Sequence, residues 1–152
     1  MNANTPVSSI MTKNLVTVQP KDSFTTIKKY FDEKDFHHLP VVESGGKLVG
    51  IISKEDLYKT AYALMLQTTG KTYSRRQMES IKAQDVMTQY PIYLDPDDSI
   101  GLAADIFLAN KFHALPIVED DILVGLVTAH DLLRFGFSET LGTVSSERQN
   151  EP

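Results

Sequence analysis

Apolar and polar positions along this chain alternate between two periods in a fixed order. Phe24, Ile27, Tyr30 and Phe31 recur at helical spacing, as do Ile100, Ala103, Ala104 and Phe107, which puts each set on one face of a helix. Ser23 and Ser99 stand immediately before these sets and suit the N-cap, where a side-chain oxygen accepts an orphan backbone N–H. The runs Leu39 to Val42 and Lys47 to Ile52, and their counterparts Leu115 to Val118 and Ile122 to Val127, are short and β-branched and are separated by turn residues. They read as buried hairpin strands. Shorter extended segments, Leu15 to Val18 and Ile92 to Leu94, precede the helices and are closed by a proline. A last helix starts at Ser53 in one half and Thr128 in the other, the first being extended by Ala61, Leu64 and Met65.

The order strand, helix, strand, strand, helix thus occurs twice, and the residues repeat with it. Met11 and Met87, Pro20 and Pro96, Ser23 and Ser99, and Pro40 and Pro116 all keep one spacing, 87 − 11 = 76. After the Gly-rich stretch Ser44 to Gly46 the spacing falls by one, so that Ser53 matches Thr128 and Asp56 matches Asp131. A one-residue loss at that point is what a hairpin turn tolerates. The expected organisation is a first repeat over 7–66, a connector over 67–82 with a helix break near 68–70, a second repeat over 83–137, and a disordered polar tail over 138–152.

Composition narrows the function classes. The 152 residues include no cysteine, which removes disulfides, thiolate metal sites and a cysteine nucleophile and fits a cytoplasmic setting. Fifteen basic residues against twenty acidic ones give a net charge of −5, which disfavours nucleic acid; the basic stretch at Lys71, Arg75, Arg76 and Lys82 reads as solvated surface. No signal-like segment and no long apolar run appears, so neither export nor a membrane span is expected. His37, His38, His113 and His130 lie in no metal-ligand or nucleophile motif, so an enzyme is the least favoured class.

Four features recur in order: Ile-Met-Thr or Val-Met-Thr, His-x-x-Pro-hydrophobic, a hydrophobic-Gly turn, and Ser/Thr-x-x-Asp at a helix start. Together they resemble a tandem pair of cystathionine beta-synthase (CBS) domains, or Bateman module, over about Val7 to Phe137. The resemblance implies an α/β (α+β) fold of two β-α-β-β-α repeats about a pseudo-twofold axis. It also implies two inter-repeat clefts for AMP, ADP, ATP or S-adenosylmethionine, a homodimer, and an effector protein that the sequence does not identify. The alternative is a structural or oligomerisation module with vestigial clefts.

Each Ser/Thr-x-x-Asp has a structural reading as a capping box, which stabilises a helix by about 1 kcal/mol. The functional reading uses the same helix start as an anion site, its positive dipole end and hydroxyl meeting a phosphate. The carboxylate repels phosphate but can accept hydrogen bonds from both ribose hydroxyls. Similarity to the family assigns Ser53 and Thr128 to phosphate and Asp56 and Asp131 to ribose, and carries a phosphate role to His37 and His113. His38 stands where the family often has an arginine, and Ala114 at the matching position cannot serve, so the clefts should differ. Val16, Phe36 and Pro40 could line one adenine slot, and Ile92, Phe112 and Pro116 the other, plain core packing being the competing explanation, more so for Val16 and Ile92 than for the prolines. Because family clefts mix the repeats, Ser53 and Asp56 are grouped with Ile92, Phe112, His113 and Pro116. Thr128 and Asp131 are grouped with Val16, Phe36, His37, His38 and Pro40.

Overall fold

A computed structural model describes residues 2–67 and 75–148. The chain divides into two compact units, one from the stretches 15–92 and 120–123, the other from 1–14, 93–119 and 124–152. In the first unit, α1 (Phe24–Glu33) starts at Ser23, whose Oγ accepts the Thr26 N–H at 3.3 Å, and buries Phe24, Ile27 and Phe31. Strands β1 (His38–Val42) and β2 (Leu48–Ser53) pair antiparallel with His38 opposite Ser53 and Val41 opposite Gly50. Leu39, Val41, Val49 and Ile52 join the α1 residues in one core with Leu57 and Leu64 of α2 (Lys54–Gln67). Two short helices follow, α3 (Arg75–Ser80) and α4 (Ala83–Val86), and then β3 (Thr88–Gln89) adds to the free edge of β2. The expected helix break at 68–70 lies outside the described residues.

The second unit repeats the plan. Ser99 caps α5 (Ile100–Ala109) by accepting the Leu102 N–H at 3.1 Å. A two-stranded sheet, β4 (Ala114–Glu119) with β5 (Ile122–Thr128), leads into α6 (Ala129–Arg148). The hairpin turns show how the one-residue deletion is absorbed. The longer turn places Gly45 and Gly46 at φ 95° and 93°, and the shorter one places Asp120 and Asp121 at φ 51° and 67°. Positive φ at both central residues matches the right-handed twist of hairpin strands, and Asp tolerates it better than most side chains.

The β-α-β-β-α plan holds in both copies, and two details differ from the sequence reading. The opening strands are only single parallel bridges, Val18 with Val41 and Leu94 with Ile117. Val18 donates to Pro40 O at 3.0 Å and accepts from Val42 N at 2.9 Å, and Leu94 does the same with Pro116 and Val118 at 3.0 and 2.9 Å. The next rung back would need an N–H from Pro40 or Pro116 to the carbonyl of Val16 or Ile92, and proline has none, so the ladder ends there. The second concerns the tail expected over 138–152: α6 runs through Arg148, so 138–148 is helical, and 149–152 lie outside the described residues. That stretch contains no proline and one glycine, Gly142, so polarity alone does not stop the helix.

The compact units are also not the sequence repeats, because the opening segments are exchanged. Val7 N–H donates to Asp98 O at 2.8 Å and Thr12 bridges Leu126, which seats the first copy's opening on the second copy's hairpin. Ala83 N–H donates to Asp22 O at 2.8 Å, and Gln89 and Thr88 pair with Gly50 and Ile51, which does the reverse. A Cβ at Gly50 would meet the Sδ of Met87 and stand 2.8 Å from its Cγ. A Cβ at Gly125 would meet Met11 in the same way, again 2.8 Å from Cγ. The Met-Thr and hydrophobic-Gly motifs are therefore two halves of one packing lock. No helix among the described residues is long and apolar enough to cross a membrane.

Candidate functional site

The two helix starts are built alike. Ser53 Oγ accepts the Asp56 N–H at 3.1 Å while Asp56 Oδ2 accepts the Ser53 N–H at 2.8 Å. Thr128 Oγ1 accepts the Asp131 N–H at 3.1 Å and Asp131 Oδ2 accepts the Thr128 N–H at 2.9 Å. Both are reciprocal capping boxes, so the structural reading of these residues holds. It does not exhaust them. Each hydroxyl still has its proton to donate, and each carboxylate keeps Oδ1 as an acceptor.

The histidine loops dock on the same helix starts through their backbone. His37 O accepts the Lys54 N–H at 2.8 Å, and His113 O accepts the Ala129 N–H at 3.0 Å. Of the amides in each first turn, the first is thus taken by a histidine carbonyl and the third by the capping hydroxyl. The second, on Glu55 or His130, is engaged in neither network and is left as a donor. Sequence reasoning treated the helix terminus as uniformly free and could not single out this amide. Both imidazoles, His37 and His113, are exposed. One turn on, Glu55 pairs with Lys59 at 3.2 Å, and Arg134 Nη2 lies within hydrogen-bond distance of His130 Nε2, at 3.3 Å.

The remaining candidates separate into core and surface. Pro40 and Pro116 are buried, whereas Ile92 is 53% exposed and Val16 half-buried. This reverses the sequence-based weighting, which gave core packing to Val16 and Ile92 before the prolines. Successive strand side chains point to opposite faces, so burial of each proline together with both its neighbours shows that these strands are covered on both faces, while the residue that proline excludes from pairing is left outside. Phe36 is half-buried and meets Phe31 edge to face, with centroids 5.6 Å apart. Phe112 is half-buried and packs against the second core. His38 is half-buried opposite Ser53 in the ladder, while Ala114 at the matching place is buried. Within its own unit each helix start is therefore joined to one histidine loop: Ser53 and Asp56 to His37, Thr128 and Asp131 to His113. Among the described residues no group of three or more His, Asp or Glu side chains could hold a metal ion.

Comparison with known proteins agrees with the geometry. The CBS-domain family model matches residues 7–62 and 83–138. An uncharacterized protein of Methanocaldococcus jannaschii is 32% identical over 151 residues, covering 84% of this chain and 88% of that one. A homoserine O-acetyltransferase of Methanococcoides burtonii is 31% identical over 132 residues, 86% of this chain but 24% of the enzyme. Its counterpart in Methanohalobium evestigatum is 28% identical, again with 24% of the enzyme covered, so the chain spans about a quarter of the length of these enzymes. Among solved structures, CBSX2 in complex with AMP superposes with a TM-score of 0.71 at 28% identity, covering 88% of this chain and 97% of that one. The CBS domain pair of protein MJ0100, in complex with 5′-methylthioadenosine and S-adenosylmethionine, gives 0.69 at 28% identity, with coverage of 89% and 98%. Two family matches in tandem, on a chain whose fold repeats twice, make this protein a member of the CBS-domain family, a Bateman module of two CBS repeats.

Proposed function

We propose that this chain is a non-catalytic ligand sensor that binds an adenosine-containing molecule in its inter-repeat clefts and passes the bound state to a partner protein. The observation that carries the reading is the duplicated helix start. In both copies a hydroxyl proton, a carboxylate Oδ1 and one uncommitted amide are gathered at a helix start on which the carbonyl of an exposed histidine docks, and the two copies agree in these capping and docking hydrogen bonds. The crystallised relatives that hold AMP, or 5′-methylthioadenosine and S-adenosylmethionine, support the ligand class. In this reading Ser53 and Thr128 donate to phosphate with His37 and His113 beside them. Asp56 and Asp131 accept from ribose. The Val16 and Ile92 carbonyls, left out of the ladder by Pro40 and Pro116, accept from the adenine amino group, and Phe36 and Phe112 supply apolar walls. His38 adds a donor to one cleft only.

The chain acts as a homodimer in this reading. Tyr58, Tyr62 and Leu66 form an exposed stripe on α2, and Leu133 and Phe137 form one at the aligned positions of α6. Large apolar side chains repeated at helical spacing on two outer faces favour a covered surface. The lack of cysteine suits a reducing, cytoplasmic setting.

The decisive experiment is a thermal-shift panel of AMP, ADP, ATP, S-adenosylmethionine and 5′-methylthioadenosine with GMP as control, followed by calorimetric stoichiometry. A ligand that binds only the folded state raises the melting temperature by mass action. Adenosyl-specific stabilisation is expected. Equal shifts with GMP, or none with any nucleotide at millimolar concentration, would leave the capping boxes as purely structural and favour the oligomerisation module.

A further inference from the structure

We propose a second binding site, away from the helix starts, that takes a small organic cation of the guanidinium class. The first unit contains a recess of about 380 Å³ whose floor includes Val49 and Met87 and whose rim includes Glu43, Asp85, Gln89 and Tyr90. That volume lies in the range of small-molecule pockets, ~300–1,000 Å³. It opens at the turn end of the β1–β2 hairpin. Ser53 and His38 face each other at the opposite end, so the recess shares no residue with the nucleotide reading.

The chemistry of the rim selects the ligand. Asp85 Oδ2 holds the Lys82 N–H at 2.9 Å, which leaves Oδ1 available, and the Lys82 ammonium is turned to Glu79 O at 2.8 Å instead. Among the described residues neither Glu43 nor Asp85 has a cationic partner, whereas Asp32 is paired with Lys28 and Glu55 with Lys59. Tyr90, which also lines the recess, is 78% exposed at φ 45°, a conformation that a bulky aromatic residue rarely adopts. Two uncompensated carboxylates, an amide and an open aromatic face suit a planar cation. It can present several N–H donors in its plane and stack through its face.

The duplicated chain supplies an internal comparison. The positions that shape the recess persist in the second copy, where Glu43, Val49 and Met87 become Glu119, Val124 and Met11. The positions that give it cation chemistry do not persist: Asp85, Gln89 and Tyr90 become Ser9, Lys13 and Asn14. The counterpart set carries one carboxylate and one ammonium and no aromatic ring, so its charge balances without a ligand. The feature is thus specific to one copy rather than a requirement of the fold.

The test uses the full chain in titration calorimetry and amide chemical-shift mapping. The probe is N-acetyl-arginine amide, with one guanidinium and no other charge, its neutral isostere N-acetyl-citrulline amide is the control, and agmatine stands for a free metabolite. Saturable binding of a guanidinium probe at millimolar concentration is expected, with shifts at residues 43, 85, 89 and 90 and none with the citrulline compound. Glu43→Gln, and Gln89→Lys, which installs the other copy's lysine, should each lower affinity at least tenfold while melting temperature and nucleotide binding stay unchanged. Equal binding of the citrulline compound, shifts that map elsewhere, or unaltered affinity in Gln89→Lys would overturn the proposal.

Discussion

Replacing Asp131 by asparagine separates ligand recognition from helix capping, because the geometry dictates how the new side chain must sit. Asp131 Oδ2 accepts the Thr128 N–H at 2.9 Å. Asparagine can keep that bond only by placing its single oxygen there, which forces its NH2 into the outward place that Oδ1 now holds. An acceptor becomes a donor at the one position left for ribose. The cap loses little, on the order of 0.5 kcal/mol, which for a chain of this size lowers the melting temperature by roughly 1 to 2 °C. A ribose hydroxyl that donated to a carboxylate loses a charge-assisted bond worth about 1.5 to 3 kcal/mol, or roughly 10- to 150-fold in dissociation constant. Calorimetric titration of AMP into the wild type, Asp131→Asn and Asp56→Asn, beside melting curves of each, reads both effects. The reasoning is refuted if both variants bind AMP as the wild type does while their melting temperatures fall. That pattern is what carboxylates serving only as caps would give.

Gly50→Ala and Gly125→Ala should each destabilise the fold by about 1 to 3 kcal/mol, since the added Cβ would stand 2.8 Å from the Cγ of Met87 or Met11; urea melts measure it, and Met87→Ala in the Gly50→Ala background should restore part of the loss. His37→Ala and His113→Ala should weaken AMP while leaving 5′-methylthioadenosine, which has no phosphate, unaffected; a parallel loss of both ligands in competition titrations would remove the phosphate role. Tyr62→Glu and Phe137→Glu should shift the sedimentation-equilibrium mass towards 17.0 kDa, because a charge at the centre of an apolar contact carries a desolvation cost that its partner cannot offset. A dimer that persists in both variants would place the contact on another surface.

Much of the fold is legible in the residues because its signals are local. Helix faces at Phe24, Ile27 and Phe31, the caps Ser23 and Ser99, and the hairpin turns all follow from neighbours a few positions apart. The capping boxes at Ser53 and Thr128 belong to this class as well. What local reading missed depends on distant pairing. That Pro40 and Pro116 are buried while Ile92 lies outside depends on the parallel bridges Val18–Val41 and Leu94–Ile117, which join positions some twenty residues apart. The exchange of opening segments leaves no periodic trace, although the Met-Thr motif and the glycine at its receiving strand carried the signal. A methionine at the same point of two repeats asks for a gap to fill, and a strand-centre glycine provides one. The helix beyond Phe137 was hidden for another reason, because solvated helix and disorder share a polar composition.

The exchanged openings change what a half of this protein is. Cutting between the repeats would yield a fragment from Ala83 onward whose Gly125 notch is empty, carrying a Met87 that belongs to the other hairpin. The first fragment would have the mirror defect, with Met11 unplaced and Gly50 uncovered. The two fragments are complementary, so mixing them should regenerate both locks at once, whereas either one alone can fill its notch only with its own methionine or with that of a second fragment. Each half therefore holds the key to the other, and a lone copy has an open seam unless its own methionine or a second fragment's closes it.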